Sequence, residues 1–190
     1  MSDGERCRIV FAGSGGQGGI TAAIILAEAA VIHEGLNAVQ SQSYGAAARG
    51  GVTRSDLIIS NSPINFPKVI QPNILVCLTQ ESFNRFYDIP RPGGLLLIDA
   101  DLVEPQPQVE ARVYRLPMQR TVQSELGTSL PLNVCMLGAL LTLRPVVAMA
   151  SVRKVLKHRF RDSVLETNRK ALELGTRLAR DLEAPLESVG

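Results

Sequence analysis

The sequence predicts an α/β protein: a single three-layer α/β/α domain, spanning residues 1–190, on a mainly parallel or mixed sheet. Three observations predict it. Strand-like and helix-like stretches alternate through the first half of the chain, and helical stretches dominate the rest. Residues 74–78 (ILVCL) and 95–99 (LLLID) are short apolar runs of the kind found in central strands covered on both faces. A glycine-rich turn, FAGSGGQGG at 11–19, joins an apolar run to a stretch rich in alanine and aliphatics, the pattern of strand, tight turn and helix.

Residues 7–12 form the first strand. The first helix spans about 18–34 with Gly35 as its C-terminal cap. Its apolar residues, Ile20, Ile24, Leu26, Ala27 and Val31 among them, cover enough of its surface to bury it well. Residues 37–42 read as a second strand and 43–51, SYGAAARGG, as a second glycine-bracketed segment. In the third strand, Val52–Ser60, alternation sets Thr53, Ser55, Leu57 and Ile59 on one face and Val52, Arg54, Asp56 and Ile58 on the other. Three prolines make 61–72 a turn followed by an irregular surface segment. Residues 80–87 read as a short helix, 91–94 as a turn and 101–108 as a loop, and weak alternation marks 109–116 as a strand nearer an edge. Helices follow at 117–126 and 133–143, then from a cap at Ser151 to Phe160, then from a cap at Asp162 to about residue 182. The last shows Val164, Leu165, Ala171, Leu172, Leu178 and Ala179 on one side, and residues 183–190 read as a frayed tail.

Composition narrows the function. A net charge of +2 with 20% charged residues argues against a nucleic-acid partner. The helix at 152–160 carries Arg153, Lys154, Lys157, His158 and Arg159, but without interleaved aromatics it reads as a solvated face. Cys7, Cys77 and Cys135 are far apart and form no C-x-x-C pair, so the chain is expected to hold no iron–sulfur cluster or structural zinc by itself. Their odd number, with no signal-peptide pattern, points to the cytoplasm, and no apolar run is long enough to predict a membrane span. His33 and His158 read as surface residues, and no G-x-S-x-G, H-E-x-x-H or phosphate-loop lysine is present. Asp99 and Asp101 read either as a carboxylate pair or as a loop start with a solvated acid. No residue is assigned a catalytic or metal-binding role.

Two stretches carry candidate function. Gly13, Gly15 and Gly18 fit the G-x-G-x-x-G spacing of a dinucleotide site, where backbone N–H groups at a helix start face a phosphate. Such a site wants an acid at the end of the second strand, and Gln40, Ser41, Gln42 and Ser43 stand there instead. The alternatives are close packing of helix on strand and contact with another protein. The second stretch, 43–55, sets Tyr44, Arg49 and Arg54 among small residues. Small residues admit a neighbouring backbone, and tyrosine and arginine anchor interfaces. If the first two strands are parallel, both glycine-rich loops lie at one sheet edge, as an interface or as the wall of a site completed by another chain.

The motifs GSGGQGG (13–19), SQSYGAAARGGVTRSDLIIS (41–60), NSPINFPKV (61–69) and LNVCMLGAL (132–140) resemble the gamma subunit of 2-oxoacid:ferredoxin oxidoreductases, over about residues 8–182. Residues 54–60 and the following asparagine and proline look most like the 2-oxoglutarate enzyme. The resemblance implies a chain without catalytic residues that works beside alpha and beta subunits, and in some complexes a ferredoxin-like delta subunit. In the complex it implies thiamine diphosphate with Mg²⁺ between alpha and beta, iron–sulfur clusters delivering electrons to ferredoxin or flavodoxin, and CoA as acyl acceptor, with no cofactor held by this chain alone. This chain would support the active-site subunits and help shape the CoA site. The family's first motif maps to Gly13, Gly15, Gly16, Gln17 and Gly18, its second to Tyr44, Gly45, Arg49, Gly50 and Gly51, and its later helix to Asn133. Alanines 46–48 stand where some relatives have proline or an acid. The competing reading is a stand-alone NAD(P)- or flavin-binding oxidoreductase using the first glycine turn.

Overall fold

The apolar runs become strands because each can be covered on both faces. A computed structural model describes residues 6–44, 51–106 and 108–182. Its strands are β1 (Arg6–Ser14), β2 (Asn37–Tyr44), β3 (Val52–Ser60), β4 (Ile74–Cys77), β5 (Leu95–Asp99) and β6 (Arg112–Leu116). They form one sheet in the order β2–β3–β1–β4–β5–β6. β1, β4, β5 and β6 are mutually parallel, and β3 runs antiparallel to both β1 and β2. The sheet is therefore mixed, as expected.

The helices are α1 (Gly19–Glu28), α2 (Gln80–Phe86), α3 (Met118–Leu126), α4 (Leu132–Leu143), α5 (Met149–Arg159) and α6 (Asp162–Arg180). Ile9, Phe11, Leu57, Ile59, Ile74 and Val76 turn to one sheet face and pack with residues of α1, α3, α4, α5 and α6. Val10, Ile58, Leu75, Leu96 and Ile98 turn to the other, against Phe83 of α2 and against Val69, Val103 and Val109 from irregular segments. The second outer layer is thus one short helix with two loops.

α4 is apolar all round, and ten of its twelve residues are buried, the pattern of a helix enclosed on every side. α6 crosses it at two glycines. A Cβ on Gly138 would lie 2.1 Å from the carbonyl oxygen of Leu172, and one on Gly175 would lie 1.8 Å from that of Cys135. The two backbones touch there.

Several boundaries differ from the sequence reading. The α-helical winding of the first helix stops at Glu28, and a π-helical turn, Ala29–His33, completes it. Gly35 adopts φ 65° as the cap, with Leu36 N–H donating to Ala30 O at 3.0 Å. Val31 and Ile32 point outward, 48% and 66% exposed, instead of joining the buried face. Ser151 does not cap α5, which starts two residues earlier, after an extended Ala148. Asp162 is the first residue of α6 rather than its cap, where its charge still complements the helix dipole. Val164 faces solvent, 51% exposed, because the buried stripe of α6 runs instead through Asn168, Ala171, Leu172 and Gly175.

Asp99 is neither solvated nor paired with Asp101. It is fully buried. One carboxylate oxygen accepts from Asp101 N–H at 3.0 Å and the other from Gln119 N–H at 2.7 Å. α3 has no side-chain cap of its own, so Asp99 supplies one from the end of β5. Burial pushes its carboxyl above the usual carboxylate range, against the opposing pull of the backbone N–H groups. A raised folded-state pKa means that the folded protein binds more protons, so this contribution to stability is full at low pH and falls as pH rises through the shifted value. The stability gap between the wild type and Asp99→Asn is expected to shrink as pH rises, measured by thermal melts in a pH series. A gap that widens with pH would show the N–H groups outweighing burial.

Candidate functional site

The first glycine turn is built around a glutamine. Gln17 Oε1 accepts from Ser14 N–H at 2.8 Å, and its Nε2 donates to Leu78 O at 3.0 Å, tying the end of β1 to the end of β4. A Cβ at position 13 would lie 2.5 Å from Gln17 Oε1 and would push the glutamine out of these hydrogen bonds. Gly18 has φ 78°, and a Cβ on it would lie 2.8 Å from three atoms of Asn133. Gly15 and Gly16 have nothing within 4 Å of their Cβ positions, so the apex of the turn is bare backbone facing outward.

The second motif reaches the same sheet edge. β1 and β2 both run antiparallel to β3 and so end on the same side. The register aligns Gly13 with Thr53 and Thr53 with Tyr44, and Thr53 Oγ1 donates to Gly13 O at 3.1 Å. Gly51 immediately precedes β3. Gly45, Arg49 and Gly50 lie outside the described residues, as does the Tyr44 side chain. The described ends of the two stretches, Gly13, Tyr44 and Gly51, lie at one sheet edge, about two strand spacings, roughly 10 Å, across.

Asn133 joins this edge from the first turn of α4. It is 8% exposed and lies against Gly18. Its side chain lines a groove of about 360 Å³ with Thr21, Leu130, Val164 and Asn168. Arg54 does not join. It lies on the opposite face of β3, in a bidentate pair with Asp56 at 2.6 and 3.0 Å. It donates to Val69 O at 2.8 Å, and its guanidinium lies 5.3 Å from the Phe86 ring centroid. Its side chain is only 21% exposed, which makes it a brace for the irregular segment before β4. The alternation that put Arg54 and Asp56 on one face already contained this pair.

The edge differs from a dinucleotide site in two respects. The second strand of such a site lies directly beside the first, whereas β3 separates β1 from β2 here. The start of α1, where a pyrophosphate would sit, has Asn133 against it. Burial pushes the Cys77 and Cys135 thiols up to about 12, which keeps them protonated and poor nucleophiles or ligands at neutral pH. Among the described residues no group of three or more His, Cys, Asp or Glu side chains is arranged to hold a metal ion, and no helix is long and apolar enough to cross a membrane. Sequence reasoning missed the helix-capping role of Asp99, which no pattern marks, and the outward turn of Val31 and Ile32, which follows from π winding.

The sequence profile described as pyruvate ferredoxin/flavodoxin oxidoreductase matches residues 8–178. Among curated relatives, the 2-oxoglutarate synthase subunit KorC of Methanocaldococcus jannaschii is 40% identical over 179 residues, covering 93% of this chain and 96% of that protein. Among solved structures, the gamma subunit of a keto/oxoacid ferredoxin oxidoreductase from Geobacter sulfurreducens is 38% identical with a TM-score of 0.84, covering 93% of this chain and 97% of that one. The 2-oxoglutarate:ferredoxin oxidoreductase of Magnetococcus marinus shares the fold with a TM-score of 0.85 at 23% identity, and this chain spans 32% of it.

Proposed function

Because this chain belongs to the pyruvate ferredoxin/flavodoxin oxidoreductase family, we propose that it is the gamma subunit of a complex that oxidatively decarboxylates 2-oxoglutarate to an acyl-CoA. The observation that carries this reading is the end-to-end match to a 2-oxoglutarate synthase subunit. The sheet edge supports it, with two family motifs meeting around a turn whose apex is bare backbone. Bare backbone suits the close approach of another chain or a ligand better than acid–base or nucleophilic work.

On this reading the isolated chain is inactive and the whole length forms one domain, in the cytoplasm. Alpha and beta subunits, and a ferredoxin-like delta subunit where there is one, carry the thiamine diphosphate, Mg²⁺ and iron–sulfur clusters, and ferredoxin or flavodoxin takes the electrons. The thiamine cofactor supplies the carbanion chemistry of decarboxylation when bound. This chain's part is positional. Gln17 fixes the turn, the N–H groups around Gly15 and Gly16 are left to a partner or to CoA, and Asn133 stands beside them. Tyr44, Gly45, Arg49, Gly50 and Gly51 are the second set of residues that meets the partner subunits.

Affinity purification of the tagged chain from its native cells under nitrogen tests this. Stoichiometric thiamine-binding and cluster-bearing partners, with 2-oxoglutarate- and CoA-dependent reduction of a viologen dye, are expected. Dye reduction with a different 2-oxoacid would overturn the substrate. A lone chain that binds NAD(P) or flavin would overturn the subunit reading.

A further inference from the structure

The opposite edge of the sheet is a second surface, and it is cationic. Hydrogen bonds lay the starts of four strands side by side there. Arg8 N–H donates to Asn73 Oδ1 at 2.8 Å and Asn73 N–H to Arg8 O at 2.8 Å. Leu95 N–H donates to Asn73 O at 2.9 Å, and Arg112 N–H to Gly94 O at 2.7 Å. Two clefts open along this row. One, of about 400 Å³, is lined by Arg8, Phe66, Lys68, Ile70, Gln71 and Arg91. The other, of about 90 Å³, lies between Asn73, Arg91, Arg112 and Arg144. They share Arg91, and among the described residues no carboxylate lines either one.

Elsewhere the protein pairs many of its arginines. Arg54, Arg115, Arg120, Arg159, Arg169 and Arg177 each meet a carboxylate. Arg8, Lys68, Arg91 and Arg112 have no ion-pair partner among the described residues, although Arg8 is half-buried. Beside them Phe66 is 55% and Ile70 is 69% exposed. Arginines around exposed aromatic and aliphatic side chains have the composition of a protein interface. A solvated basic face would carry no such apolar centre.

We propose that this edge docks an acidic segment of another subunit of the complex, whose carboxylates bridge Arg8, Arg91 and Arg112 while an apolar side chain covers Phe66 and Ile70. The partner is acidic because the charged side chains among the described residues lining the two clefts are all cationic. It is not a second copy in a symmetric contact, which would press the same cations together. The inference rests on the subunit reading and adds a second contact, at the end of the sheet opposite the glycine motifs.

The test co-expresses this chain with the complex's other subunits and compares the wild type with Arg91→Glu/Arg112→Glu and with Phe66→Ala. These side chains are exposed, so the isolated variants are expected to melt with the wild type. Assembly affinity is expected to fall at least tenfold in the double variant and several-fold in Phe66→Ala. Added salt should weaken the wild type more than the double variant. Carbodiimide coupling of the assembled complex should join Lys68 to an aspartate or glutamate of a partner subunit, and Lys68→Arg should lose that cross-link while keeping assembly. A wild type that fails to assemble would overturn the subunit reading and this inference with it. A wild type that assembles, with unchanged affinity in the double variant, would overturn the inference alone. So would a Lys68 cross-link to Asp3 or Glu5 of the same chain or to a second copy, or salt-sensitive binding of RNA in place of the subunits.

Discussion

Gly175→Ala is expected to remove about 3 kcal/mol of folding stability and to lower the melting midpoint by roughly 6–12 °C. The cause is local. A methyl group at 175 would lie 1.8 Å from the carbonyl oxygen of Cys135 and 2.8 Å from the amide nitrogen of Ala139. Both are backbone atoms of α4, so no side chain can rotate away. α6 must lift, and its separation from α4 opens the packing around Cys135, Leu140 and Leu172, which are buried. Gly15→Ala is the control, since nothing lies within 4 Å of its Cβ position, and its melt should stay close to wild type. Chemical denaturation gives the same comparison at fixed temperature. A loss below about 1 kcal/mol for Gly175→Ala would mean that the helices part cheaply and that their close approach contributes little.

The second large effect concerns assembly. Arg49→Glu is expected to abolish incorporation of this chain into the complex and, with it, 2-oxoglutarate-dependent dye reduction, while the isolated chain melts as before. If Arg49 pairs with a carboxylate of a partner subunit, reversing its charge leaves that carboxylate unpaired and adds a repulsion, a loss on the order of 2–5 kcal/mol or 30- to several-thousand-fold in affinity. Size-exclusion chromatography of co-expressed subunits reads the assembly. Normal assembly would remove residues 45–51 from the interface and leave the Gly13–Asn133 edge as the remaining contact.

The glycine turn was legible because its chemistry is local. An apolar run, glycines at 13, 15, 16 and 18, and an alanine-rich continuation dictate strand, turn and helix whatever surrounds them. The apolar strands β4 and β5 were legible for the same reason. Strand direction was not, because side-chain alternation is the same whichever way a strand runs, and nothing in Val52–Ser60 announces that it returns antiparallel between its neighbours. Ser151 and Asp162 misled because a capping residue caps only if the backbone just before the helix is extended there, and the tertiary path of the chain decides that. Asp99 looked like a solvated acid because its partner, Gln119 N–H, is 20 residues away. At the site, the motif residues were legible and their depth was not. Arg54 has the composition of an anchor and the position of a brace.

The antiparallel return of β3 also has a consequence for biosynthesis. The partners of β1 are β3 and β4, and both lie downstream of it in the chain. Gly13 pairs opposite Thr53, so about 40 further residues must be made before this strand meets its first neighbour. At ribosomal rates of about 5–20 residues per second, that is roughly 2–8 s. During that time Ile9, Val10 and Phe11, all but completely buried in the finished fold, have no sheet to enter. A strand from the middle of the sheet is therefore the one that a nascent chain leaves longest without a sheet partner.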